Sequence, residues 1–294
     1  TATSKDGEKT ILAGKEVTIV DTVKLDGLTK GTKYQLKGWQ MLKEENAELI
    51  IDGKRVENDY TFIADDEAMK AADAFFKESD KADFSYLDYM YFAHLLNAVK
   101  KYDQAVEAYM KAITLDPAKT DLWREVSSSY ELNNEFTKAI EAYKKYSESL
   151  SADKRTPDVQ FQIGKLYYEK GTQSDTLTVS LDERKAALVS ADSIFTEIAK
   201  VAPDSYLGNF WRARANSALD PETTQGLAKP FYEEVAALLE SKNDPHYNSA
   251  LVECYSYLGY YYLLAIENPA LKAEAKANKD KSIEYWSKIL AIDP

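Results

Sequence analysis

Ala71, Ala105 and Ala139 recur at a fixed step of 34 residues, and Phe75, Tyr109 and Tyr143 keep that step four residues further on. Tyr89 and Trp123 are also 34 apart, as are Phe92 and Val126. A period of this length marks a stack of helix pairs, each able to bury its apolar face only against its neighbours. The register sets a small residue where two helices cross closely and an aromatic that plugs the next turn. The expected fold is therefore mostly α, a solenoid of four to six helix pairs from about residue 67 to 294.

The period changes near residue 66. Before it, EVTIVDTV, TKYQLKGWQML and ELIIDGKRV alternate in polarity. They are separated by turn sites at Asp26-Gly27, Lys30-Gly31 and Asp52-Gly53, where glycine tolerates positive φ. Residues 1–66 are expected to form a small β segment of four or so strands. Only Tyr34 and Tyr60 of the 21 tyrosines precede the boundary, and the rest fall in runs such as YLDYMYF and YSYLGYYYLL. Aromatics at helical spacing read first as core.

The repeat resembles the tetratricopeptide repeat family, of the bacterial envelope type. The matching unit is Tyr89, Phe92, Ala93 and Leu96, followed by Ala105, Tyr109, Ala112 and Pro117. A second reads Trp123, Val126, Ser127 and Tyr130, then Ala139 and Tyr143. A third reads Ile163-Gly164 and Tyr167, then Ala191, Phe195 and Pro203, with an insertion between its helices. The last reads Tyr255, Leu258-Gly259 and Tyr262, then Ser282, Trp286 and Pro294. Residues 204–242 form a poorly matching pair containing Phe210, Trp211, Phe231 and Tyr232.

The resemblance implies a protein–protein interaction scaffold that takes a peptide or partner protein in a groove lined by the first helix of each pair. On this register the lining residues are Met90, His94 and Asn97, then Arg124, Ser128 and Glu131, then Phe161, Lys165 and Tyr168. Members that clamp a terminal carboxylate use Lys and Asn at such points. Met90 and His94 depart from that arrangement, so no carboxylate clamp is expected.

The first segment, TATSKDG followed by VTIVDTVKLDGLTKGTKYQLKG, resembles the opening half of a VaFE-type, Ig-like domain of Gram-positive surface adhesins, many of which close an internal Thr–Gln ester. The resemblance implies a partial Ig-like sandwich with Thr1 as the hydroxyl nucleophile and Asp21 as the carboxylate that assists it, Thr3 being the runner-up. A threonine hydroxyl is a weak nucleophile and needs such a base. No His-x(7)-Gln strand follows residue 66, so the acceptor glutamine is expected from a complementary β fragment of another chain. The abrupt seam reads as an engineered fusion or as lost natural sequence, and the arrest at Pro294 as truncation. Both resemblances place the protein outside the cytoplasm of a bacterium, in the periplasm or on the surface.

Composition narrows the alternatives. A net charge of −12 argues against nucleic acid, whose phosphates need clustered Lys and Arg. No run approaches the roughly 18 apolar residues of a membrane span. His94 and His246 have no ligand partner at helical spacing, no phosphate-cradling glycine loop is present, and Cys254 is the sole cysteine, in an apolar run. No metal, no cofactor and no enzyme activity are expected beyond an autocatalytic crosslink.

Overall fold

The computed structural model describes strand backbone within residues 2–63, a helical turn at 74–77, and residues 84–174 and 179–292. The chain divides into two compact units, Thr1–Lys119 and Thr120–Pro294. The change of period at residue 66 lies inside the first of these.

In the first unit the backbone makes four antiparallel pairings. β1 (Ala2–Ser4) pairs with β2 (Ile19–Asp21), and β3 (Lys33–Trp39) with β8 (Glu57–Ile63). β4 (Met41–Leu42) pairs with β5 (Ala47–Glu48), and β6 (Ile50–Ile51) with β7 (Lys54–Arg55). The last pair sets Ile51 opposite Lys54, either side of Asp52-Gly53. Every pairing is two-stranded. Two packed sheets are not seen among the described residues.

Helix α1 (Tyr86–Ala98) begins at a capping box in which the backbone N–H and hydroxyl of Ser85 both donate to Asp88. It packs antiparallel to α2 (Tyr102–Leu115). Around its start, Phe76 stacks on Phe92 at 4.3 Å and meets Tyr89 at 5.3 Å. The expected repeat aromatic, Phe75, is instead 46% exposed and stacks on Phe84 at 5.3 Å.

The second unit contains α3 (Leu122–Leu132), α4 (Phe136–Ser149), α5 (Pro157–Thr172), α6 (Leu181–Val201), α7 (Leu207–Leu219), α8 (Lys229–Lys242), α9 (Asn248–Glu267) and α10 (Ala275–Ile292). Each packs on the next in chain order, as a stack of pairs requires. The insertion in the third unit is partly absorbed by helix length. α6 runs for 21 residues, started by Ser180 and Glu183 in a second capping box.

The 34-residue step is visible in the backbone as well. α1 ends with Lys100 at φ 62° and α3 ends with Asn134 at φ 60°. At these ends Lys101 N–H donates to Leu96 C=O and Glu135 N–H to Tyr130 C=O, both at 2.8 Å. These are the six-to-one bonds of a Schellman ending, which satisfies otherwise orphaned carbonyls and turns the chain into the second helix.

Packing follows the same logic. Ala93, Ala105, Ala139, Ala191 and Tyr109 are fully buried. Ser127 and Ser282 fill small-residue positions and still satisfy their hydroxyls, donating to Ala139 C=O at 2.8 Å and to Gly259 C=O at 2.9 Å. The poorly matching pair, α7–α8, supplies much of one core cluster, with Phe210, Ala213, Tyr232, Val235 and Leu239 packed on Cys254, Tyr255 and Leu258. Helix approach is closest at Gly208, where a Cβ would stand 2.7 Å from the backbone nitrogen of Ala199. Backbone cannot rotate out of the way, so Gly208→Val should force α6 and α7 apart and cost about 2 kcal/mol or more. Urea unfolding measures this, and an unchanged midpoint would contradict the contact.

Candidate functional site

Within the second unit, Arg124, Ser128 and Glu131 sit at spacings of four and three on α3, and Phe161, Lys165 and Tyr168 repeat that spacing on α5. Such residues share one helix face. The structure brings Arg124, Ser128 and Glu131 around a cavity of about 280 Å³ that Tyr143 and Gln162 also line. Glu131 crosses to the next first helix, accepting from Lys165 Nζ at 3.2 Å and from Gln162 Nε2 at 3.4 Å. Lys165 also reaches Glu169 at 3.1 Å. Burial opposes the charge of Lys165, yet its bond to Glu169 and the charge of Glu131 prevail and raise its pKa. Burial, reinforced by Glu131, pushes the Glu169 carboxyl up despite Lys165. Arg124 is the exposed cation of this wall, bonded to neighbouring Glu125 at 3.2 Å and lying 5.9 Å over the Tyr146 ring.

A second cavity, of about 520 Å³, is lined by Tyr168, Arg214, Tyr232 and Glu253. Arg214 on α7 makes a bidentate pair with Glu253 on α9, at 2.8 and 2.7 Å. Its guanidinium lies over Phe210 and Trp211, at 4.5 and 4.8 Å. The planar fork is fixed on one side by the carboxylate and on the other by aromatic faces. Tyr232 donates its hydroxyl to Glu253 at 3.0 Å. Tyr168 meets the Trp211 ring edge-on at 5.3 Å. The result is a preorganised, partly aromatic recess whose charges are already matched, suited to neutral polar or aromatic groups of a bound segment.

The remaining expected residues are placed differently. Phe161 turns its ring into Phe195 and Trp211, both at 5.5 Å, and so serves the packing of α7. Met90, His94 and Asn97 lie in the first unit, where His94 Nδ1 and the Tyr109 hydroxyl share a 2.9 Å hydrogen bond that ties α1 to α2. Thr1 lies outside the described residues. Thr3 pairs with Val20, and Asp21 with Ala2, in the β1–β2 ladder. Arg214 and Glu253 were missed because the α7–α8 pair lacks the repeat pattern, so the register stopped at Tyr168. Carrying the face one further helix along would have found Arg214. Cys254 is fully buried, and burial with the nearby Glu253 charge pushes its thiol pKa up, as a packing cysteine requires. Among the described residues no three His, Cys, Asp or Glu side chains cluster as metal ligands, and no helix is long and apolar enough to cross a membrane.

Comparison with known proteins agrees with this architecture. The chain is similar to the C-terminal part of a TPR repeat-containing protein from Cytophaga hutchinsonii, with 28% identity and a TM-score of 0.56 over 78% of this chain and 77% of that one. The helical part therefore has a TPR-type α-solenoid fold. Among other solved structures, YrrB, a TPR protein with an unusual peptide-binding site, is 17% identical over 76% of this chain and 94% of its own, with a TM-score of 0.42. The MamA protein is 16% identical over 71% of this chain and 96% of its own, with a TM-score of 0.44. The model of a T-Q ester bond containing domain matches residues 1–114, running through α1 and most of α2. No curated protein matches.

The second unit is rich in tyrosines whose hydroxyls meet carboxylates. Burial, with Glu253 for Tyr232, Glu240 for Tyr255 and Glu233 for Tyr262, pushes these phenols up, and burial with Asp220 nearby pushes Tyr257 up to about 12. An unfolded tyrosine loses its proton near pH 10. Above that pH the folded chain holds protons the unfolded chain has lost, so stability is complete below about pH 10 and declines as pH climbs toward the folded values. The urea midpoint should therefore be flat to about pH 9 and lower at about pH 11. A midpoint that rises over this interval would refute the assignment.

Proposed function

We propose that the helical array is a protein–protein interaction scaffold that receives a peptide or partner segment along the wall of its first helices. The observation that carries this reading is the recess of Tyr168, Arg214, Tyr232 and Glu253, where a matched ion pair and aromatic faces leave a shaped, partly apolar opening. Arg124, Ser128 and Glu131 supply a second, more polar opening on the neighbouring helix. Interaction is the use for which stacked helix pairs present such surfaces. Capture of a partner from the native host by the whole chain should drop sharply for the Arg124→Ala, Tyr168→Ala double variant, both side chains lying on the wall. Equal capture by a double variant of unchanged circular dichroism would dispose of this wall as the site.

A second reading is favoured by the match to a T-Q ester bond containing domain. In it the N-terminal segment is half of an adhesin-type crosslinking domain, an arrangement that fits an engineered fusion and a protein displayed outside the cytoplasm. Thr1 Oγ, or Thr3 Oγ as the alternative, attacks the side-chain amide carbon of a glutamine on a complementary β fragment, with Asp21 taking the hydroxyl proton. The ester C–O bond forms, the amide C–N bond breaks, and ammonia leaves carrying the proton. Intact mass spectrometry of chain plus a complementary strand peptide should show an adduct lighter than the sum by one ammonia. Recovery of both species at their sequence masses would eliminate it.

A further inference from the structure

The recess of Tyr168, Arg214, Tyr232 and Glu253 keeps one hydrogen-bonding edge that its own residues leave unused. Glu253 engages two of the five N–H groups of Arg214, Nε–H at Oε1 and one Nη2–H at Oε2. The Tyr232 hydroxyl adds a second donor to Oε1, at 3.0 Å. Among the described residues nothing else accepts from the guanidinium, and nothing else donates to Oε2. The Oε2–Nη2 edge therefore sets a spare acceptor lone pair beside a spare donor, on atoms 2.7 Å apart.

That edge is held in place, with the guanidinium lying over Phe210 and Trp211 at 4.5 and 4.8 Å. The hydroxyls of Tyr168 and Ser217, on the same recess, also lack a hydrogen-bond partner among the described residues. Burial pushes the Tyr168 phenol up against the pull of Arg214, so its hydroxyl keeps its proton. A ligand for the edge must accept and donate side by side. A carboxylate would gain Arg214 but stand against Glu253, and an ammonium would gain Glu253 but stand against Arg214. A trans peptide group points its C=O and N–H to opposite sides. A hydroxyl must serve both atoms from one oxygen, at poor angles. A primary amide is uncharged and carries its oxygen and nitrogen about 2.3 Å apart on one edge, close to the spacing offered.

We propose that this recess selects the primary amide of a glutamine or asparagine side chain on the bound segment. The amide C=O accepts from Arg214 Nη2, and its N–H donates to Glu253 Oε2. Ala218 and Pro221, which also line the recess, give the methylene stem an apolar floor. The matched ion pair is then the specificity element, since it rejects a guest charge of either sign and satisfies a neutral donor–acceptor pair. This inference rests on the reading of the wall as a partner site and adds the chemistry that the site prefers.

The test titrates the whole chain with butyramide, butyrate, butylamine, N-methylbutyramide and 1-butanol at neutral pH. Binding is followed by NMR at the Arg214 Nε–H and Trp211 indole N–H resonances. Butyramide should bind about ten-fold more tightly than each of the other four. Glu253→Gln leaves Arg214 without its counter-charge and should turn the preference to butyrate by about ten-fold. Equal affinities, or any other probe ahead of the amide in the native chain, would overturn the proposal. So would an amide preference unchanged in a Glu253→Gln variant of native circular dichroism. The ranking in the native chain decides even where that variant fails to fold. Partner capture by the Arg124→Ala, Tyr168→Ala variant tests the wall independently, so an absent amide preference beside lost capture removes this inference and leaves the scaffold standing.

Discussion

The structure depends on one steric fit, in which an absent or minimal side chain on a first helix admits the bulk of a ring or the backbone of a second. Gly164 admits Phe195, Gly259 admits Trp286, and Gly208 lets α7 touch the backbone of α6. Interiors packed to crystal-like density transmit such fits directly into helix position, because a methyl group has nowhere to go. The small residues at 93, 105, 139 and 191, all fully buried, extend the same rule to positions where a methyl is the most that can be held. Ser127 and Ser282 show that the position tolerates a hydroxyl only when a neighbouring carbonyl accepts from it.

The fit also determines which helix faces stay open. A first helix locked on its inner neighbours by one face leaves its opposite face to side chains with no packing duty. On α3, α5, α7 and α9 these include Glu131, Lys165, Arg214 and Glu253, which pair across helices at intervals close to the repeat itself. Matched pairs of this kind are half-buried, so they organise the wall more than they stabilise it. The recess at Arg214 is preorganised because its guanidinium is held on both sides, by Glu253 and by the rings of Phe210 and Trp211. On the proposed function, a bound segment would meet groups already oriented, which lowers the ordering cost of association.

Stacking one pair on the next makes each pair at once a guest and a host. The face of the α5–α6 pair buries Phe195 under Trp211. Arg212 and Asn216 keep Asp192 as their shared partner at the internal seat. Leaving buried polar groups unpaired is a more effective rejection than any loss of apolar contact.

The helix pairs and their crossings could be read directly from the sequence, because a 34-residue period in Ala and aromatic positions has one economical physical explanation. Ala139 and Tyr109 take their packing roles from the period itself, whereas the face carrying Arg124, Glu131, Lys165 and Tyr168 is what the resemblance to the tetratricopeptide repeat family implies. Phe161 and Phe75 behave otherwise than their positions in the repeat imply, the first drawn into the seat of α7 and the second half-exposed. Arg214 and Glu253 escaped because α7 carries no repeat signature, so nothing along the chain announces that it joins the wall. A period records what each residue must pack against within its own pair, which is local and therefore written in the sequence. Which charges meet between pairs, and which face is covered, depends on the rotation of one pair on the next, and that is decided only when the pairs are stacked in three dimensions.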